Sequence, residues 1–284
     1  MKEAKEWSVP PPLVSIALAT FNGEKYLRQQ LDSLLNQTYK NFEIVISDDN
    51  SNDDTLNIIK KYQARDLRIK FIISHLERGF INNFQNAILH SVGEIIFLCD
   101  QDDIWYPDKL ALHLNAYQDS AVQWVYNEVQ LVDSKGGKIG LLTDQIPDYW
   151  SRRKLLYYTW GSCVLGCATS YRASLLKNIW PADKNALGHD SWIQLAIFPA
   201  KSFFINTILQ DYRQHEANVF GVAQEVQPSL DLEEIEKRVI KTNLTYLDSL
   251  AKNKKLSFWK RNFFGIVLSA KKLRMIVRNF KNRV

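Results

Sequence analysis

Four largely apolar runs of strand length constrain this chain more than any other feature: LVSIALA (13–19), FEIVIS (42–47), RIKFIIS (68–74) and GEIIFLC (93–99). The segments between them carry apolar residues at helical spacing. Leu27, Leu31, Leu34 and Leu35 do so in YLRQQLDSLLNQ, and FINNFQNAILHSV (80–92) and PDKLALHLNAY (107–117) also read as helices. Near-continuous apolar strands, each followed by a helix, predict a parallel sheet covered on both faces. The expected fold class is therefore α/β, a Rossmann-like, mostly parallel sheet, with QWVYNEVQLV (123–132) as its fifth strand. Asn52 or Asp53 is placed to cap a second helix running through Tyr62, and Pro107 to open the fourth.

With 284 residues, 46% of them hydrophobic, the chain is long enough to bury a full core, which excludes a disordered or disulfide-built protein. Cys99, Cys163 and Cys167 are flanked by apolar residues and have no Cys or His at zinc spacing. They read as small core side chains in a reducing compartment. MKEAKEWSVPPP has no apolar h-region, and no run approaches the ~20 apolar residues of a spanning helix. A cytoplasmic chain without a transmembrane segment is expected. The formal net charge of +5 comes from one end: residues 251–284 hold 11 Lys and Arg and no Asp or Glu, so the rest of the chain is net acidic.

Polar residues collect where the strands end. Thr20, Phe21 and Asn22 follow the first, Asp48 and Asp49 the second, and Asp100, Asp102 and Asp103 the fourth. In open α/β sheets that rim binds ligands. Carboxylates crowded together raise one another's pKa, so several kept ionised at neutral pH need a cation. Oxygen ligands suit Mg2+ or Mn2+, ions that bridge to substrate phosphates. Strand alternation would put Asp100 and Asp102 on one side, within reach of one ion, and turn Asp103 away to orient the loop.

SIALATFNGEKYLRQQLDSLLNQTYKNFEIVISDDNSNDDT and GEIIFLCDQDDIWYPDKL resemble the inverting, nucleotide-sugar-dependent family 2 glycosyltransferases of GT-A fold. DQDDIW in particular is similar to rhamnosyltransferase-like members of bacterial surface-polysaccharide pathways. The resemblance runs over residues 13–221, about three quarters of the chain. It implies a catalytic domain over 13–225, between an N-terminal extension (1–12) and a helical C-terminal region (226–284). It implies nucleotide contacts at Thr20, Phe21, Asn22, Glu24 and Asp49, and ribose and metal contacts at Asp100 and Asp102. GHDSW matches the family's base motif, which makes Asp190 the general base for an acceptor hydroxyl. His215, in DYRQHEANVFG, falls where related enzymes place a His near metal or diphosphate.

Each residue also has a plainer reading. Thr20 and Asn22 suit a simple turn, Glu24 a first-turn helix charge, and Asp48, Asp53 and Asp54 turn and cap roles. Asp190 suits an N-cap for SWIQLAIF, and His215 a loop histidine bonded to backbone. Arg78, Asn83 and Arg213 are open between nucleotide contact and surface. Trp105 and Trp192 are candidate acceptor walls, or core. GSCVLGCATSY (161–171) reads as a close-packed strand beneath the acceptor.

A sugar nucleotidyltransferase would share the sheet and the metal-bound nucleotide, but ATFNGEKY is not its Gly-rich basic loop. A non-catalytic scaffold on the same fold would not need Asp49, Asp100, Asp102 and Asp190 together. No nucleic-acid module accompanies the basic stretch, so a nucleic-acid partner is not expected. In that stretch Leu256, Trp259, Phe263, Ile266, Val267, Ala270, Leu273, Val277 and Phe280 recur at spacings of 3 and 4. A basic helix with such a face suits the anionic inner surface of a membrane, where a lipid-linked glycan acceptor would lie. Packing of that helix on the domain is the alternative.

Overall fold

The computed structural model describes residues 11–145, 164–182, 186, 188–197, 200–216, 218, 248 and 251–252. The N-terminal extension to residue 10, Cys163, and nearly all of the C-terminal region with its basic stripe lie outside the described residues.

The first four expected strands form, as β1 (Val14–Thr20), β2 (Phe42–Asp48), β3 (Ile69–Ile73) and β4 (Ile95–Cys99). All three ladders among them are parallel, with β1 between β2 and β4 and β3 outside β2. Helices α1 (Leu27–Leu35), α2 (Thr55–Gln63) and α3 (Phe80–His90) make the crossovers, and α4 (Lys109–Ala116) follows the fourth strand. Alternation along β1 splits its side chains between two cores. Val14, Ile16 and Leu18 pack with Leu27, Leu31 and Leu34 of α1, Ile58 and Ile59 of α2, and Leu110 and Leu114 of α4. Ala17 faces the other way, onto Phe84, Ala87 and Ile88 of α3. Truncating one of the fully buried members, for example Leu18→Ala, would cost about 2–5 kcal/mol.

The second half departs from the expected parallel order. β6 (Trp124–Val132) does not join β4; β8 (Thr169–Arg172) lies between them, antiparallel to both. β9 (Ser202–Arg213) runs parallel to β6 on its far side, and β5 (Ile104–Trp105) caps that edge antiparallel to β9. β7 (Lys138–Leu141), followed by the short helix α5 (Leu142–Gln145), pairs antiparallel with β6. Every residue of β6 is buried, so its apolar pattern is the same whichever way its neighbours run. β8 is four residues long, too short to show a period.

After β8 come α6 (Ala173–Leu176) and then α7 (His189–Ile197), whose Trp192, Ile193 and Ala196 join α3 over the second core. Among the described residues, helices thus cover both faces of one nine-stranded sheet, ordered β3-β2-β1-β4-β8-β6-β9-β5 with β7 beside β6 off that path. The chain leaves β1 toward β2 and later returns to its other side with β4, so a crevice opens where the ends of β1 and β4 meet. Pairing of Ile104 with Asp211 and of Trp105 with Gln210 brings the end of β9 to the same place. No helix among the described residues is long and apolar enough to cross a membrane.

Candidate active site

Two turns at the crevice are locked together before any ligand enters. Asn22 takes a left-handed conformation (φ 48°), which Asn tolerates better than most residues, and its Oδ1 accepts the Asn52 N–H at 2.9 Å. Glu24 Oε2 accepts the Asp54 N–H at 2.8 Å, and Asp53 accepts the N–H groups of Glu24 and of Thr55, the first residue of α2. The N-cap of α2 is Asp54, without a side-chain cap bond, so neither Asn52 nor Asp53 takes the expected cap position; Asp53 reaches the Thr55 N–H from one residue further out. Thr20 is buried and braces its turn. Its hydroxyl donates to Asp48 Oδ2 at 2.7 Å, and its carbonyl accepts from Asp49 N–H and Asn83 Nδ2. Asn83 is therefore a buried prop, while Arg78 is exposed. Asp49, also buried, accepts the Gly79 N–H at 2.8 Å, and Phe21 stands out at 48% exposure.

The acidic segment is a loop, not a strand continuation, because β4 ends at Cys99. The alternation argument for Asp100 and Asp102 therefore fails, and the carboxylates divide differently. Asp100 and Asp103 gather with the Cys167 sulfur, one ligand atom from each lying within 4.8 Å of the others. Asp102 reaches instead to His215 Nε2, at 2.8 Å. The His215 ring lies 4.9 Å from that of Tyr26. Asp103, as expected of a loop-orienting residue, is buried and accepts from Gln210 Nε2 and the Arg213 N–H.

Burial, reinforced by the charges of Asp102 and Asp190, pushes the Asp100 carboxyl up to about 7. Burial and the charges of Asp102 and Asp100 push Asp103 well above the carboxylate range. Beneath them Lys109 is fully buried, its ammonium donating to the Cys167 carbonyl and to Gln210 Oε1, 3.8 Å from the centre of the Trp105 ring. Burial draws that ammonium down to about 8, against the opposing pull of Cys167, Cys99, Asp103 and Asp100. Crowding of Asp100, Asp102 and Asp103 raises the first and last of these carboxyls, a setting in which a bound cation would favour the ionised forms. Burial and the Asp103 and Asp100 charges raise the Cys167 thiol far above its usual value, which disfavours the thiolate that ligates metals.

Asp190 is the second residue of α7, and its Oδ1 accepts the N–H of Ser191 at 2.7 Å. Its charge is among those that raise Asp100, which puts the expected base within electrostatic reach of the acidic loop. The preceding His189 is buried, its ring stacked 3.8 Å from Phe84.

Three expectations are corrected here. Trp105 and Trp192 are 2% and 1% exposed, so neither can form an acceptor wall. Trp105 packs on Phe97 and Lys109, and Trp192 lies in the core beneath α7. Arg213 is not available to a diphosphate: it is buried over the Tyr26 ring, with Nε on the Asp102 carbonyl at 2.9 Å and Nη2 on Gln29 Oε1 at 2.9 Å. Lys109, Gln210 and Cys167 were not singled out in the sequence as parts of the site. A lysine in an amphipathic helix and a cysteine in an apolar run give no signal of such a role.

The model of the family described as Glycosyl transferase family 2 matches residues 15–180. The chain belongs to that family. Among curated relatives, this family 2 glycosyltransferase is 30% identical over 222 residues to an uncharacterized glycosyltransferase of Rickettsia typhi, covering 75% of this chain and 67% of the relative. It is 28% identical over 159 residues to the Escherichia coli UDP-Glc:alpha-D-GlcNAc-diphosphoundecaprenol beta-1,3-glucosyltransferase WfgD, covering 55% of this chain and 58% of that enzyme. Among solved structures, it superimposes with a TM-score of 0.58 on the mannosyltransferase PcManGT from Pyrobaculum calidifontis in complex with GDP-Man and Mn2+. That match has 17% identity and covers 95% of this chain and 79% of the other.

Proposed function

We propose that this family 2 glycosyltransferase is a metal-dependent, inverting hexosyl- or rhamnosyltransferase. It takes a sugar from a UDP-hexose or dTDP-rhamnose type donor and passes it to a hydroxyl of a lipid-linked surface glycan. The observation that carries the reading is the Asp102–His215 contact of 2.8 Å, made beside Asp100 at the crevice between β1 and β4. The GDP-Man and Mn2+ bound to PcManGT and the diphosphoundecaprenol acceptor of WfgD support the donor and acceptor classes.

Asp49, Phe21 and the turn held by Asn22 and Glu24 receive the nucleotide. Asp100, Asp102 and His215 hold Mg2+ or Mn2+, which supplies Lewis-acid stabilisation of the leaving diphosphate. Asp190 accepts the proton of the acceptor hydroxyl as that oxygen attacks the anomeric carbon from the face opposite the diphosphate, inverting the configuration. The basic stripe of residues 251–284 brings the enzyme to the anionic inner face of the membrane, where such an acceptor diffuses.

A thermal-shift screen of UDP, GDP and dTDP with and without Mn2+ tests this, because a ligand of the folded state raises stability by mass action. A metal-dependent rise with one nucleotide is expected. No rise with any of them would end the proposal.

A further inference from the structure

The residue between the two motif aspartates is the one that joins the donor turn to the acidic loop. β1 and β4 are parallel neighbours with Leu18 opposite Cys99, so the turns that follow them emerge side by side. There the Gln101 side chain makes two bonds to a single residue of the other turn. The Phe21 N–H donates to Gln101 Oε1 at 2.9 Å, and Gln101 Nε2 donates to the Phe21 carbonyl at 3.0 Å. A carboxamide has one donor and one acceptor on the same end, so it pairs with an amide N–H and C=O as another strand would. It thereby extends the ladder between β1 and β4 beyond the point where their backbones separate.

Gly23 is shaped for this contact. A Cβ at Gly23 would lie 2.2 Å from Gln101 Oε1 and 2.6 Å from its Cδ, so the missing side chain is the notch that the carboxamide fills. Gly23 is not among the residues with positive φ, so its backbone conformation does not require glycine; the notch does. Its N–H is separately satisfied by Thr55 Oγ1 at 2.7 Å.

We propose that Gln101 is a positioning residue that couples nucleotide binding to metal binding. Its side chain is spent on Phe21, and its neighbours on either side are Asp100 and Asp102. Fixing its side chain to Phe21 fixes where those carboxylates stand relative to the turn that receives the nucleotide. The inference rests on the donor and metal assignments proposed above, and assigns how the two halves of that site communicate.

The test is the factor by which Mn2+ strengthens nucleotide affinity, measured by calorimetry with whichever of UDP, GDP and dTDP the native protein binds best. Gln101→Met removes both bonds at nearly constant volume, and Gly23→Ala displaces the carboxamide while leaving Gln101 in place. Each should lower the factor about tenfold, the scale of two neutral hydrogen bonds. Because both act on one contact, the double variant should lose no more than either single one. An unchanged factor, even with a lowered melting temperature, overturns the coupling role and leaves the donor assignment standing. So does a double variant whose losses multiply. If the native protein binds none of the three nucleotides, the donor assignment falls and the coupling role with it.

Discussion

Asp102 and His215 lie 113 positions apart in the chain, and the carboxylate of one is 2.8 Å from Nε2 of the other. β5 makes the meeting possible: by pairing with β9 it brings the segment after β9 back beside the acidic loop. Arg213 then locks the arrangement through the Asp102 carbonyl, leaving the Asp102 carboxylate to the histidine. Asp102→Asn keeps the shape but weakens the ligand for a hard cation. Nucleoside diphosphate affinity in Mn2+ should fall by about tenfold or more, the scale of a charge-assisted ligand. Metal-free affinity should change little. Calorimetry with unchanged affinity and unchanged metal dependence would remove Asp102 from the metal site.

Asp190 stands on α7, apart from the donor turn. Asp190→Asn should therefore bind the nucleotide with native affinity while turnover falls by ~10²- to 10⁴-fold, the usual effect of losing a general base. Single-turnover rates with donor and acceptor supply the check. A variant of near-native rate means that another group takes the proton.

Asp100 carries a stability cost that its variant should relieve. Its folded-state pKa is raised to about 7 by burial and by Asp102 and Asp190, above the ordinary 3.8. A raised carboxyl contributes stability while it holds its proton, and that contribution is lost as pH rises from about 4 through 7. Metal-free Asp100→Asn should thus melt higher than the native protein at pH 8, by on the order of a few degrees. The two should converge near pH 4. Calorimetric melts across that range that run parallel would contradict the assignment. The same variant should respond less to Mn2+.

The basic stripe is tested by co-sedimentation with anionic liposomes, using the full chain and a chain ending at Leu250. The full chain should sediment at low salt and be released at high salt, as expected for an electrostatic contribution of about 1 kcal/mol per basic side chain near the lipid. The shorter chain should stay in solution. Equal binding of both, or of neither, would assign the stripe to some other contact.

The sequence by itself determined the parallel half of the sheet and the rim of the crevice. The apolar runs that became β1, β2 and β4 are continuous because those strands are covered on both faces, while β3 at the sheet edge stays partly exposed; the helical spacings between them name the covering residues. Motif and resemblance together singled out Asp102, Asp190 and His215 as candidates, since short motifs carry chemistry that the chain writes locally. Partnership was beyond their reach. Only the tertiary structure inserted β8 between β4 and β6, paired Asp102 with His215, and buried Lys109 beneath Asp100 and Asp103. It also withdrew Trp105, Trp192 and Arg213 into the interior. Each of these outcomes depends on long-range strand pairing, and no local period records which distant segment a buried side chain will meet.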